Sequence, residues 1–162
     1  MAEIIYQMIL STIQTVGLLV GISYYILSLR NQNRARKTQL YLQMVNKFSE
    51  PDFLEAIGKF NALEWSTAED FIEEWRTPEG SVTIRTLANW YEGLGVLVKE
   101  NLLDMRVVAL LLTGLVIQFW GKFIPVIDDV REALEWPRFY IEAEYLYDQL
   151  KSYIKEHPEI QT

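Results

Sequence analysis

From Ile4 to Leu29 the chain runs 26 residues without a charged side chain, and Arg30, Arg34, Arg36 and Lys37 follow at once. About 20 apolar residues suffice to cross the hydrocarbon core of a bilayer, so the run can span with some tilt. A cleaved secretory signal is the competing reading. Three features argue against it: the length of the run, the lack of a basic segment before it (Glu3 is the one charged side chain there), and the lack of an A-x-A-like cleavage site after it. The expectation is a retained, single-pass anchor over residues 1–29 and a basic juxtamembrane collar over 30–37. The positive-inside rule then puts the collar in the cytoplasm and the N-terminus outside, at the plasma (cytoplasmic) membrane. Arg30, Arg34, Arg36 and Lys37 are the expected contacts to anionic lipid headgroups, with about 1 kcal/mol per basic residue near the surface.

The polar residues of the run are not scattered. Gln7, Ser11, Gln14, Leu18, Gly21, Tyr25 and Ser28 recur at alternating spacings of four and three, one seam of a heptad. Gly17 and Gly21 form a G-x-x-x-G, which lets helix backbones approach closely. The bland reading is a lone anchor whose few polar groups cost little near its ends. The reading favoured is association, with itself or with another membrane protein, through Gln7, Ser11, Gln14, Gly17 and Gly21. A ring of such helices lining a pore is a more distant alternative.

Beyond the anchor, some 130 of the 162 residues remain, enough for one domain with a core. There is no cysteine, which removes disulfides, thiolate nucleophiles and Cys-type zinc sites. Four of the 15 basic residues lie in the collar and Glu3 alone of the 22 acidic ones precedes it. From Thr38 onward 11 basic thus face 21 acidic residues, a balance of −10. Such a domain stands off from anionic lipid and is no partner for nucleic acid.

The rest of the chain reads as helix, with no period-2 strand pattern. Leu40, Met44 and Phe48 continue a helix that stops before Ser49, and Ser49 with Pro51 and Asp52 opens the next, presenting Phe53, Ile57 and Phe60. Ser66 to Glu69 reads as a capping box introducing Phe71, Ile72 and Trp75. Thr77 to Ser81, TPEGS, reads as the best loop in the domain. Ile84, Leu87, Tyr91, Leu94 and Val98 form an amphipathic stripe, widened by Trp90 and Leu97. Asn101 closes that helix in the left-handed conformation and Asp104 caps the next. The following helix is expected from Met105 to about Leu134 with a kink at Pro125, and Pro137 starts a last helix that ends before His157.

Val107 to Ile127 is ambiguous: its 21 residues carry one charge, Lys122. A second span would place that charge deep in the bilayer, at roughly 2.5–3.5 kcal/mol. With Gln118 and Pro125 interrupting it and no basic collar beside it, a bundle-centre helix is the better reading. The fold expected is all-α: the N-terminal transmembrane helix, then a helical bundle of about five to six helices over 38–157, and a C-terminal tail over 158–162.

Asn89 to Lys99, NWYEGLGVLVK, with Leu102-Leu103-Asp104 after it and Phe119-Trp120 further on, resembles an uncharacterised prokaryotic family. The layout is similar too: an N-terminal membrane helix, a basic segment, and Tyr41 to Met44 leading into Phe48-Ser49. The resemblance covers most of residues 38–150. It implies a helical domain on one anchor and implies no activity, since the family is a domain of unknown function.

Little in the sequence carries chemistry. Gly93-Leu94-Gly95 lacks the third glycine and the preceding strand of a nucleotide loop, and marks close helix contact instead. Glu92 sits in an apolar pattern with no basic residue three or four positions away, so if buried it needs a tertiary partner. Lys122 and Arg106, the cations of the next helix, are the candidates. The acidic pairs Glu69-Asp70, Glu73-Glu74, Asp128-Asp129 and Glu142/Glu144 do not face one another on a helix, and the one histidine, His157, lies near the C-terminus. No catalytic, cofactor-binding or metal-binding residue is therefore assigned. The expected function is non-catalytic assembly at the cytoplasmic membrane face. A membrane-proximal enzyme using helix-borne carboxylates is the alternative.

Overall fold

The structure, a computed structural model, describes residues 1–161, and most of them are helical. Among the described residues seven α-helices and one 3-10 turn occur in the order α1 (Ala2–Phe48), α2 (Pro51–Ala62), α3 (Ala68–Arg76), α4 (Pro78–Lys99), α5 (Met105–Gly121), α6 (Ile127–Ala133) and α7 (Ile141–Glu156), then Pro158–Gln161. No strand is present among them. The chain divides into two compact units, residues 1–42 and residues 43–162.

The first unit is helix alone. No side chain from Met1 to Arg30 is buried, and the apolar run within α1 is long and apolar enough to cross a membrane. Its hydroxyls turn back on the helix: Thr12 donates to the Met8 carbonyl and Thr15 to that of Ser11, each at 2.8 Å.

The second unit is a six-helix bundle. Helix α4 lies against α2, α3 and α7, and α5 packs on α7. The stripe expected on α4 is its buried face, with Ile84, Leu87, Tyr91 and Leu94 all at most 4% exposed. Asn101 takes φ 56° after α4, and the Asp104 carboxylate accepts from the Arg106 amide at 2.9 Å to cap α5. Both follow the sequence reading.

Several boundaries differ from expectation. The N-cap of α2 is Glu50, and the Ser49 hydroxyl instead donates back to the Val45 carbonyl at 3.0 Å. The capping box before α3 is shifted by one residue. Thr67 accepts from the Asp70 amide and the Asp70 carboxylate accepts from the Thr67 amide, at 3.2 and 3.1 Å. The loop expected over Thr77–Ser81 shrinks to Thr77 alone. Thr77 caps α4 through the Gly80 amide at 2.9 Å, and Pro78 starts the helix. Proline at the first helical position forfeits no intrahelical bond, so a turn-like sequence folds as a helix start. Gly80 is required there, since a Cβ would collide with the Glu74 carbonyl oxygen.

The single kinked helix expected from Met105 to Leu134 is two helices. A proline ring clashes with the carbonyl four residues earlier, which for Pro125 is Gly121, and α5 ends at that residue. The break over 122–126 drops Phe123 into the centre of the unit, fully buried, with six other rings centred within 6.0 Å of its own. Val108, Leu112, Val116 and Phe119 on α5 are buried at 3% exposure or less, so α5 is a helix of the bundle core. The last helix starts at Ile141, not Pro137. Tyr140 precedes it at φ 53°, a conformation that ends the turn made by residues 137–140.

Candidate functional site

Two sets of residues singled out by the sequence can be placed, one in each unit. In the first, Gln7, Ser11, Gln14, Gly17 and Gly21 are all exposed on α1. At 100° per residue, Gln7, Ser11, Gln14 and Gly21 fall within about 80° of arc, with Gly17 on its flank. Neither glutamine side chain hydrogen-bonds within the described residues. A Cβ on Gly17 or Gly21 would meet nothing within 4 Å, so the seam has open room for another helix. Arg30, Arg34, Arg36 and Lys37 are exposed as well. Helical rotation puts Arg30, Arg34 and Lys37 on the side opposite the seam and Arg36 on the seam side. Most of the collar charge is thus turned away from the face where helices would meet.

In the second unit the E-G-L-G block forms a junction with α7. Tyr140, ahead of α7, offers its amides no side-chain cap. Glu92 supplies one from α4: its Oε2 accepts from the Ala143 amide at 2.8 Å. An anion suits a helix N-terminus, where unpaired N–H groups and the helix dipole converge. Burial pushes the Glu92 carboxyl up, and the Ala143 and Glu142 amides pull it the other way. One turn on, Gly95 leaves the room that the Glu142 backbone occupies, for a Cβ there would collide with the Glu142 carbonyl. One turn further, the Lys99 ammonium pairs with the Glu142 carboxylate at 2.9 Å. Residues 92, 95 and 99 therefore form one stripe of α4 given over to the start of α7. Gly93 meets nothing and plays no such part.

Neither expected cation partners Glu92. Lys122 is half-buried, and its Nζ donates to the carbonyls of Phe60 at 2.9 Å, Asn61 at 3.0 Å and Leu63, capping the C-terminus of α2. The ammonium also lies over the Phe60 and Trp65 rings, at 5.2 and 5.3 Å from their centres. Burial lowers its pKa. The Trp65 indole donates to the Lys122 carbonyl at 2.7 Å, so the pair closes on itself. Arg106 is exposed at the start of α5. Sequence reasoning also missed Arg131, which pairs with Glu144 at 2.7 Å and donates to the Phe139 carbonyl at 3.1 Å. Its signal was weak. Only the fold reveals that the turn at 137–140 brings α6 beside α7.

Two grooves remain. One, of about 250 Å³, is lined by Lys47, Asp52, Phe53, Glu55, Lys59 and Thr83 among others, and its cations are paired locally, Lys47 with Glu50 at 2.5 Å and Lys59 with Glu55 at 2.6 Å. The other, of about 460 Å³, runs along Ser66, Thr67, Glu69, Pro125, Asp129 and Glu132. Among the described residues no three His, Cys, Asp or Glu side chains are grouped to hold a metal ion. Desolvation pushes the hydroxyl of buried Tyr140 up to about 12. The geometry of Glu92 and Lys122 is that of helix caps built across the bundle.

A family model described as a domain of unknown function (DUF4760) matches residues 11–150 of the chain. The match begins inside the apolar run, takes in Gln14, Gly17, Gly21 and the collar, and reaches into α7. No curated protein and no solved structure matches.

Proposed function

The chain belongs to the DUF4760 family, and we propose that it is a non-catalytic, membrane-anchored helical domain that assembles through its anchor. In this reading residues 1–29 span the plasma membrane once, the collar 30–37 lies on anionic headgroups, and the domain that follows stands in the cytoplasm. The partner along the Gln7–Ser11–Gln14–Gly21 seam is a second copy or another membrane protein.

One observation carries the proposal: the large apolar side chains from Ile4 to Leu29 are exposed without exception, from Leu29 at 40% to Tyr24 at 74%. Water does not tolerate so continuous an apolar surface, and a bilayer removes the penalty. The seam supports the second part. Within hydrocarbon, unpaired glutamine amides find their best partners on another helix. Measured coupling of that kind averages about 0.6 kcal/mol per pair, so glutamines and close glycine packing act together.

The test has two parts. Val20→Arg places a charge mid-span at a cost of about 2.5–3.5 kcal/mol, so alkaline extraction should release much of the variant from membranes that retain the native chain. An unchanged membrane fraction would remove the anchor. Gln14→Leu and Gly21→Leu should reduce the particle size in mild detergent. A size identical to that of the native chain would remove assembly through the seam. The enzyme alternative needs carboxylates converging in a cavity, whereas Glu92 is engaged with α7 and Glu55 of the smaller groove is paired with Lys59.

A further inference from the structure

The outward face of α5 has the shape of half a helix pair. Val108, Leu112, Val116 and Phe119 face the core, while Leu110, Gly114, Ile117 and Gly121 repeat at spacings of four, three and four on the exposed side. Leu110 is 58% exposed and Ile117 40%, with Leu111 beside them at 53%. No residue from Val107 to Gly121 is charged. A Cβ on Gly114 or Gly121 would meet nothing within 4 Å, so each glycine leaves a socket in the surface.

We propose that a second copy of this chain covers this face, with α5 packing antiparallel on its own counterpart. The stripe is self-complementary in that arrangement. With a twofold axis between Leu115 and Val116, Leu110 falls opposite the second copy's Gly121, and Ile117 opposite its Gly114. Each bulky side chain meets a socket, twice over by symmetry, as an isologous interface requires. The spacing of four and three is that of knobs packing into holes between two helices. Lipid asks for neither the period nor the glycines. A helix lying on a membrane also needs a basic polar face, whereas α5 carries a single cation, Arg106 in its first turn, and Lys122 just past its end is turned in to the α2 carbonyls. Charge permits the pairing at this face. Two domains with a balance of −10 repel over most of their surfaces, and an uncharged face lets them meet. The surface is distinct from the anchor seam. It leans on the anchoring proposed above only because a shared bilayer raises the effective concentration of the copies.

The chain has no cysteine, so engineered thiols report on a clean background. Full-length chains carrying Gly114→Cys are mixed in mild detergent with chains carrying Ile117→Cys and oxidised. The mixed disulfide between positions 114 and 117 should form at least tenfold faster than one between Gly114→Cys and the exposed control Asp129→Cys. Gly114→Leu fills the socket and should abolish the dimer while the melting temperature holds or rises, since the new side chain enters open space. A mixed disulfide no faster than the control overturns the proposal, as does a dimer that survives Gly114→Leu. The anchor variant Gln14→Leu separates the two ideas. Retention of the 114–117 cross-link when both chains also carry Gln14→Leu, with its loss when the Ile117→Cys chain also carries Gly114→Leu, supports the α5 pairing independently of the anchor. The reverse pattern overturns it and leaves the anchor reading standing. A cross-link no faster than the control, together with Leu110→Cys and Ile117→Cys thiols that lipid vesicles shield from a water-soluble maleimide, would identify lipid as the occupant and overturn it too.

Discussion

Residues 1–42 and the domain beginning at Gln43 are both rich in apolar side chains and put them to opposite use. On α1 no side chain of the run is buried and the period is carried by polar residues on an apolar cylinder. In the domain the period is carried by apolar residues on a polar cylinder, and Ile84, Leu87 and Tyr91 are at most 2% exposed. The same helical repeat thus marks the face that meets other helices in the domain and the face proposed to do so on α1. What differs is the solvent assumed on the remaining faces: hydrocarbon for one, water for the other. Helix α5 stands between them, with a buried core stripe and an exposed apolar stripe on one helix.

The largest effects should break the contrast at the core. Phe71, fully buried among Trp65, Phe123 and Phe139, should cost about 3–5 kcal/mol on replacement by alanine, read as a shift of the chemical denaturation midpoint. Ile13→Ala, a comparable truncation in the run, should leave that midpoint unchanged. Next comes the α4–α7 junction. Gly95→Ala drives a methyl into the Glu142 backbone and should lose about 1–3 kcal/mol, whereas Gly93→Ala, two residues away in open space, should lose nothing and gain up to about 1 kcal/mol from helix propensity. Equal effects of the two would disprove the close crossing. Lys122→Met keeps the apolar stem and removes the donor to three carbonyls, at about 1–3 kcal/mol by thermal unfolding.

The smallest effect separates two carboxylates that cap helices in different surroundings. Burial raises the pKa of Glu92, so its contribution is greatest below its ordinary value of 4.5 and is lost as pH rises through the raised one. Asp70 is solvent-exposed and its pKa is lowered, chiefly by the Ser66 and Thr67 amides, so its contribution is present above 3.8 and is lost as pH falls through the depressed value. Glu92→Gln should therefore raise the melting temperature at pH 7, and the gain should fade towards pH 4. Asp70→Asn should lower it at pH 7, and the loss should fade in acid. Parallel profiles for the two variants would remove the distinction between a buried cap and an exposed one.

Much of the fold was legible because it depends on local terms. The α4 stripe, the left-handed Asn101 and the Asp104 cap each follow from a few neighbouring residues and came out where the spacing put them. The caps before α2 and α3 were read one residue early, since Ser49, Ser66 and Thr67 are all competent caps and only the exit direction of the chain chooses among them. Pro125 was read as a kink. The sequence marks the lost bond but not the pull on Phe123, which the aromatic cluster draws inward and which turns the kink into a break. The partners of Glu92 and Lys122 were illegible for a related reason. Both bind backbone groups, an amide of α7 and carbonyls of α2, and backbone groups carry no signature in sequence.

By itself the sequence determined the helical class, the apolar run with its polar seam and basic collar, and the face of α4 that is buried. These are set by periodicity and by transfer free energy, which act along one helix at a time. Only the tertiary structure decided that Glu92 caps α7, that Gly95 rather than Gly93 admits a crossing backbone, and that Lys122 closes α2. It also decided which side of α5 is left uncovered. Those outcomes depend on which helix ends are brought within about 3 Å of a side chain, the reach of a hydrogen bond, and that is a property of packing.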